Sequence, residues 1–167
     1  MVAATTTIPI VFAVSGDPVK DGLVVSLNRP GGNVTGVTVA SVELSPKRLE
    51  LLHELIPAAR VMALLVNPAG RKLAEATSTD LQTASRSLEL QLEVLSASNE
   101  RDLDEVFVKL VQLRAGGLVI GSDPFFTSRS QQLAELTVRH SITAIYQYRE
   151  FAAAGGLMSY GGSLTTS

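Results

Sequence analysis

Apolar residues run together at Ile8 to Val14, Val61 to Val66 and Gly117 to Gly121. Each run stops at a small or polar residue and meets an Asx-Pro pair: Asp17-Pro18, Asn67-Pro68 and Asp123-Pro124. An Asx side chain at an N-cap accepts a hydrogen bond from an orphan backbone N–H, and proline at the next position gives up a donor that has no partner there anyway. Each junction therefore predicts strand, tight loop, helix. Repetition of that unit gives a parallel sheet, in which ligands bind in the loops beyond the carboxyl ends of the strands.

Between the junctions the pattern alternates. Val34 to Val39 reads as a strand and Pro18 to Leu27 as a short helix, ended by Asn28-Arg29-Pro30-Gly31-Gly32. Ser45-Pro46 starts a helix whose Leu49, Leu52 and Ile56 share one apolar stripe. Strands are then predicted at 61–66, 90–95, 117–121, 143–146 and 157–160, with helices at 71–88, 101–114, 128–140 and 149–153. Five strands joined by right-handed helical crossovers predict an α/β fold, a doubly wound parallel five-stranded sheet in the flavodoxin-like order 2-1-3-4-5. Residues 1–57 hold only two strands, too few to cover a sheet on both sides. They are expected to form a separate small layer, joined through the helix from Pro46 to Ile56, and residues 161–167 read as a loop and cap whose helix is missing. The chain thus looks cut at both ends.

Composition narrows the function classes. The 167 residues are 46% hydrophobic and 18% charged, enough to bury a core, and the net charge of −2 is interspersed. No basic patch suits a nucleic acid or a membrane surface. Met1 to Thr7 lacks the charged start and apolar stretch of a secretory signal, so the chain as written would stay where it is made. Cysteine is absent, which removes thiolate chemistry. His53-Glu54 begins like a zinc-binding helix, but Pro57 stands where the second histidine belongs, so no metal site is expected. Gly31-Gly32-Asn33-Val34-Thr35-Gly36 precedes a strand instead of following one, and no phosphate loop or serine nucleophile elbow occurs. No cofactor is called for.

The candidate binding residues lie in the loops. Ser15, Gly16 and Asp17 form one group, Ser122 and Asp123 another, with Asn67 chiefly a helix cap. A carboxylate at Asp17 or Asp123 suits a ligand ammonium, while neighbouring helix N-termini offer N–H groups to a carboxylate. An α-amino acid presents both. Phe125 and Phe126 divide between core and cleft. Tyr146, Tyr148, Arg149 and Glu150 cluster after the fourth strand of the regular unit as a ligand wall, with a packed surface salt bridge as the competing reading, and Tyr160 ends the last strand.

In order along the chain stand Ile8-Pro-Ile-Val-Phe-Ala-Val-Ser-Gly-Asp-Pro-Val, Asn28-Arg-Pro-Gly-Gly-Asn-Val-Thr-Gly, Lys47-Arg-Leu-Glu-Leu-Leu, Leu65-Val-Asn-Pro, Asp123-Pro-Phe-Phe and Arg149-Glu-Phe-Ala-Ala-Ala-Gly-Gly-Leu-Met-Ser-Tyr-Gly. Together these closely resemble the substrate-binding proteins of a bacterial ABC transporter family that includes tryptophan- and tyrosine-type uptake proteins. The resemblance implies a type I periplasmic-binding fold of two lobes closing on a small ligand. Residues 1–57 would be the last part of the first lobe with its connecting helix, 58–160 the second lobe, and 161–167 the start of a crossover tail. It further implies a non-catalytic binder of a small amino-acid-like, possibly aromatic molecule, a membrane permease as partner, and a periplasmic location. The competing readings are a flavodoxin-like enzyme or phospho-receiver, and a stable lobe that binds nothing and oligomerises. A receiver wants a lysine after the fifth strand, where this chain has Ser159-Tyr160-Gly161. The apolar strand Ile8 to Val14, lacking neighbours, predicts a homo-oligomer through residues 1–40.

Overall fold

The structure, a computed structural model, describes residues 5–14, 17–38 and 44–162. Ser15, Gly16, Val39 and the tail residues 163–167 lie outside the described residues. The chain divides into two compact units, Met1–Ser41 and Val42–Ser167.

In the first unit, β1 (Ile10–Val14) and β2 (Val34–Thr38) pair in parallel, Ile10 opposite Val34 and Val14 opposite Thr38. Asn33 Nδ2 donates to the carbonyls of Thr5 and Ile8 at 3.2 and 2.6 Å, which fixes the approach to β2. Successive strand residues alternate between faces. Val11 and Ala13 therefore share one face with Thr35 and Val37, and that face is open: Val11 is 78% exposed and Val37 66%. The helix expected over Pro18 to Leu27 does not form. Asp21 N bonds Asp17 O at 2.9 Å, closing a single turn, but Gly22 then takes φ +71° and Leu23 N returns to Pro18 O at 2.8 Å. Glycine adopts that left-handed conformation freely, and the valines that follow disfavour renucleating a helix.

The second unit is built on β3 (Val61–Val66), β4 (Gln91–Ser96), β5 (Gly117–Ile120), β6 (Thr143–Tyr146) and β7 (Met158–Ser159). All neighbours are parallel and the order is β4-β3-β5-β6-β7, which counted from β3 is 2-1-3-4-5 as expected. The helices are α1 (Ser45–Leu55), α2 (Arg71–Ser87), α3 (Glu100–Gln112), α4 (Pro124–Ser128), α5 (Ser130–Arg139) and α6 (Arg149–Ala153). The helix predicted from Ser128 begins instead at Pro124 and is interrupted at Arg129, whose φ of −111° departs from helical geometry.

The central strands read as unbroken apolar runs because both faces are covered. On one face Leu49 and Leu52 of α1 and Leu81 of α2 pack with Met62, Leu64, Val119 and Ile145. On the other, Phe107, Leu110, Leu133 and Phe151 pack with Leu65, Leu118, Ile120 and Ala144. Burying one such large side chain contributes about 1.5–3 kcal/mol. Helix α1 thus spends its stripe on the sheet of its own unit. Its N-cap is Leu44, and Ser45, expected to cap it, is already inside the first turn. Among the described residues no helix is long and apolar enough to cross a membrane.

Candidate functional site

Two loops at the carboxyl end of the second sheet are tied by their Asx residues. After β5, Asp123 Oδ1 accepts from Phe125 N at 2.8 Å and caps α4. After β3, Asn67 Oδ1 accepts from Ala69 N at 3.0 Å and caps a short 3₁₀ turn, Pro68–Gly70. Both junctions therefore carry the caps that the Asx-Pro pairs predict. The residues also meet each other: Asn67 Nδ2 donates to Asp123 Oδ1 at 2.9 Å. Asn67 thereby holds one carboxylate oxygen of Asp123 in a fixed direction, while Oδ2 faces Gly70, where a β-carbon would stand only 3.3 Å from it. A cavity of about 10 Å³, room for roughly one water molecule, lies among Asn67, Gly70, Thr77, Ser122 and Asp123. Ser122 is buried and its hydroxyl has no protein partner. Beside this cavity an open groove of about 520 Å³ follows α2 past Arg71, Glu75, Ser78 and Gln82.

The aromatic residues divide between core and surface. Phe126 is fully buried in the core, and Phe125, with its ring centroid 5.5 Å from that of Phe126, remains partly exposed. Tyr146, expected in a ligand wall, is a core side chain with no exposure. Its ring stacks on Phe151 at 4.8 Å with an interplanar angle of 8°. Gly156 covers the ring closely, since a β-carbon there would come within 2.4 Å of it. Its hydroxyl lies 3.2 Å from Thr137 Oγ1. Burial pushes the Tyr146 phenol pKa above its ordinary value, the Thr137 hydrogen bond opposing this. Tyr148 is nearly buried, Glu150 half-buried and Arg149 exposed. Tyr160 follows β7, its N–H donates to Tyr146 O at 2.9 Å, and its side chain is 40% exposed. The structure thus gathers Asn67, Ser122, Asp123, Phe125, Tyr148, Arg149, Glu150 and Tyr160 at the ends of β3, β5, β6 and β7.

Asp17 belongs to the first unit. Its Oδ1 accepts from Val19 N and Lys20 N at 2.9 and 3.2 Å, and Lys20 Nζ lies 3.6 Å from Oδ2. The Lys20 backbone N–H, then that of Val19, holds its pKa below the usual 3.8. The carboxylate stays ionised while capping its own turn. Among the described residues no three His, Asp or Glu side chains gather as a metal site.

Two polar residues escaped the sequence reading. Arg48 has no exposure, and Gln147 is 2% exposed with Oε1 unpartnered. A signal existed for Arg48, which stands four residues before Leu52 and eight before Ile56, on the same buried stripe. For Gln147 there was none, because a polar residue between two tyrosines reads as surface.

Comparison with known proteins sets this geometry in a family. Residues 1–164 match the family of ABC transporter substrate binding proteins. A tyrosine-binding protein of Clostridioides difficile (strain R20291) is 43% identical over 65 residues, which are 38% of this chain and 18% of that protein. Among solved structures, an ABC domain in complex with L-Trp from Streptococcus pneumoniae superposes with a TM-score of 0.78 at 18% identity, over 98% of this chain and 53% of its own. A conserved domain protein from Vibrio cholerae gives 0.77 at 24% identity, over 96% and 53%. The ligand-free, open form of a substrate-binding protein with adhesive properties from Clostridium difficile gives 0.66 at 24%, over 92% and 51%. At these identities the structures testify to the fold, and the chain spans about half the length of each. On the family match over nearly its whole length, the chain belongs to the ABC transporter substrate-binding proteins.

Proposed function

We propose that this chain contributes to binding a free amino acid with an aromatic side chain for an ABC uptake transporter, without catalysis. Asp123 would receive the ammonium group, with Phe125, Tyr148, Arg149 and Tyr160 around the rest of the ligand. Tyr146 and Phe126 would support these residues from the core. The observation that carries the reading is the Asn67–Asp123 hydrogen bond, which directs a carboxylate at the ligand end of the sheet before any ligand arrives. The aromatic preference is supported by the L-Trp bound to one relative and by the tyrosine-binding name of another. On the same reading the longer protein works outside the cytoplasmic membrane beside a permease, and residues 1–57, 58–160 and 161–167 are partial first lobe with connecting helix, second lobe and crossover tail.

Calorimetry against tryptophan, tyrosine, alanine and glutamate tests this. Such pockets bury roughly 70–90% of a small ligand, and a single lobe supplies only part of that, so binding by this chain should be weak. Aromatic amino acids should bind best, and Asp123→Asn and Arg149→Gln should each weaken them. Tight binding unchanged in both variants would refute the assignment. A second reading, self-association, is favoured by the exposed Val11 and Val37 on an uncovered two-stranded sheet. Apolar burial contributes about 25 cal/mol per Å², so sedimentation should detect dimers through residues 1–40, and a strictly monomeric species at high concentration rejects them.

A further inference from the structure

Among the described residues Arg48 is the only charged side chain that is buried, and its exposure is 0%. It stands in the first turn of α1, where the chain enters the second unit. Its Nε donates to the carbonyl oxygen of Tyr160 at 2.9 Å, a bond between residues 112 apart in sequence, just where the chain leaves β7. Its Nη1 donates to Ser45 Oγ at 3.1 Å. Desolvation brings the guanidinium pKa down to about 10, with the Tyr148 phenol acting in the opposite direction. The group therefore remains charged at neutral pH, and removing such a charge from water is costly unless its hydrogen bonds do something in return.

The strand it reaches is in need of an anchor. β7 has only two residues and pairs on one side, with Ile145 and Tyr146. The last bond of that ladder is Tyr160 N to Tyr146 O, after which the Tyr160 carbonyl turns to Arg48. A two-residue edge strand has little cooperative strength of its own. Guanidinium suits the task because its donors are fixed in a plane and engage two acceptors in set directions, which an ammonium cannot do.

We propose that Arg48 is a positioning residue that pins the outgoing Tyr160 segment to the start of α1, so that Tyr160 keeps a fixed place at the candidate site. That site rests on the reading given above, but the pinning itself is measurable without ligand. Hydrogen–deuterium exchange on the full chain should show the amides of residues 158–162 exchanging about tenfold faster or more in Arg48→Lys and Arg48→Met, the scale of one lost hydrogen bond to a charged group. Ser45→Ala should give a smaller change in the same peptide. β3 and β5 should keep their protection in all three. Protection at 158–162 retained in both Arg48 variants would overturn the inference. So would an equal loss across every strand, which would make Arg48 a filler of the core. If Arg48→Met does not fold, Arg48→Lys and Ser45→Ala decide the matter. Tryptophan and tyrosine affinity is then measured on the same proteins, and a drop is expected where 158–162 loosens. If the parent chain binds neither amino acid, the ligand reading fails while the exchange result still decides the role of Arg48.

Discussion

Removing the Asp123 side chain separates what that residue does for the fold from what it does for a ligand. Asp123→Ala deletes the acceptor of two hydrogen bonds, from Phe125 N and from Asn67 Nδ2. Loss of an N-cap costs about 1 kcal/mol. Loss of the bond from Asn67, in a part-buried setting, costs about 1 kcal/mol more. Urea unfolding followed by far-ultraviolet dichroism should therefore show the second unit destabilised by about 2 kcal/mol, with an unchanged m value. Asp123→Asn keeps an oxygen for both donors and caps as well as aspartate, so its stability should stay within about 0.5 kcal/mol of the parent while the charge is gone. A cycle with Asn67→Ala isolates the bond between the loops, and its coupling should be about 1 kcal/mol. Asp123→Ala within about 0.5 kcal/mol of the parent, or a coupling near zero, would show that the loop pair is not held as described. A ligand affinity that falls in Asp123→Asn at constant stability is then attributable to the lost charge.

Tyr146→Phe removes the hydroxyl next to Thr137 and should cost about 1 kcal/mol in the same unfolding assay; a loss of ligand affinity at unchanged stability would contradict the placement of this ring in the core. Gly156→Ala drives a methyl to within 2.4 Å of the Tyr146 ring and should destabilise by about 1–3 kcal/mol, while a neutral result would mean the loop yields freely. Asp102 accepts from Ser98 N and Ser98 Oγ at 2.8 and 2.9 Å, the backbone bond foremost in holding its carboxyl below the ordinary 3.8. A depressed folded-state pKa stabilises above the unfolded value and loses that contribution as pH falls through the folded value. An NMR titration should find Asp102 below 3.8, with the start of α3 loosening only in more acidic solution; a midpoint at or above 3.8 rejects the bond.

The regular unit from Val61 to Tyr160 was legible because its central strands are buried on both faces and two of its four crossovers begin with Asx-Pro caps. Right-handed alternation called for a doubly wound sheet, and of the orders that allows the flavodoxin-like one is found. The first unit was harder. Pro18 to Leu27 carries a cap and a plausible length, yet Gly22 in the left-handed region and valines at 19, 24 and 25 favour a single closed turn. The positions of Asn67 and Asp123 could be read from their loops, but not their bond, since it joins residues 56 apart. Which aromatic faces inward depends on one residue of register: Phe126 and Tyr146 turn into the core, while Phe125 stays near the surface. Arg48 went unnoticed because arginine on an apolar stripe is usually an exception that reaches water, and here it reaches a carbonyl instead.

The crowding of tyrosines at one end of the sheet has an optical consequence. The chain has no tryptophan and three tyrosines, Tyr146, Tyr148 and Tyr160, so every tyrosine sits within the same few strand ends. Tyrosine emission becomes a local measurement. Tyr146, stacked on Phe151, reports the rigidity of the interior, and the 40% exposed Tyr160 reports access of quenchers to the segment after β7. Tryptophan emission excited through tyrosine would come entirely from an added molecule, so the protein serves as an unlabelled energy donor for that amino acid.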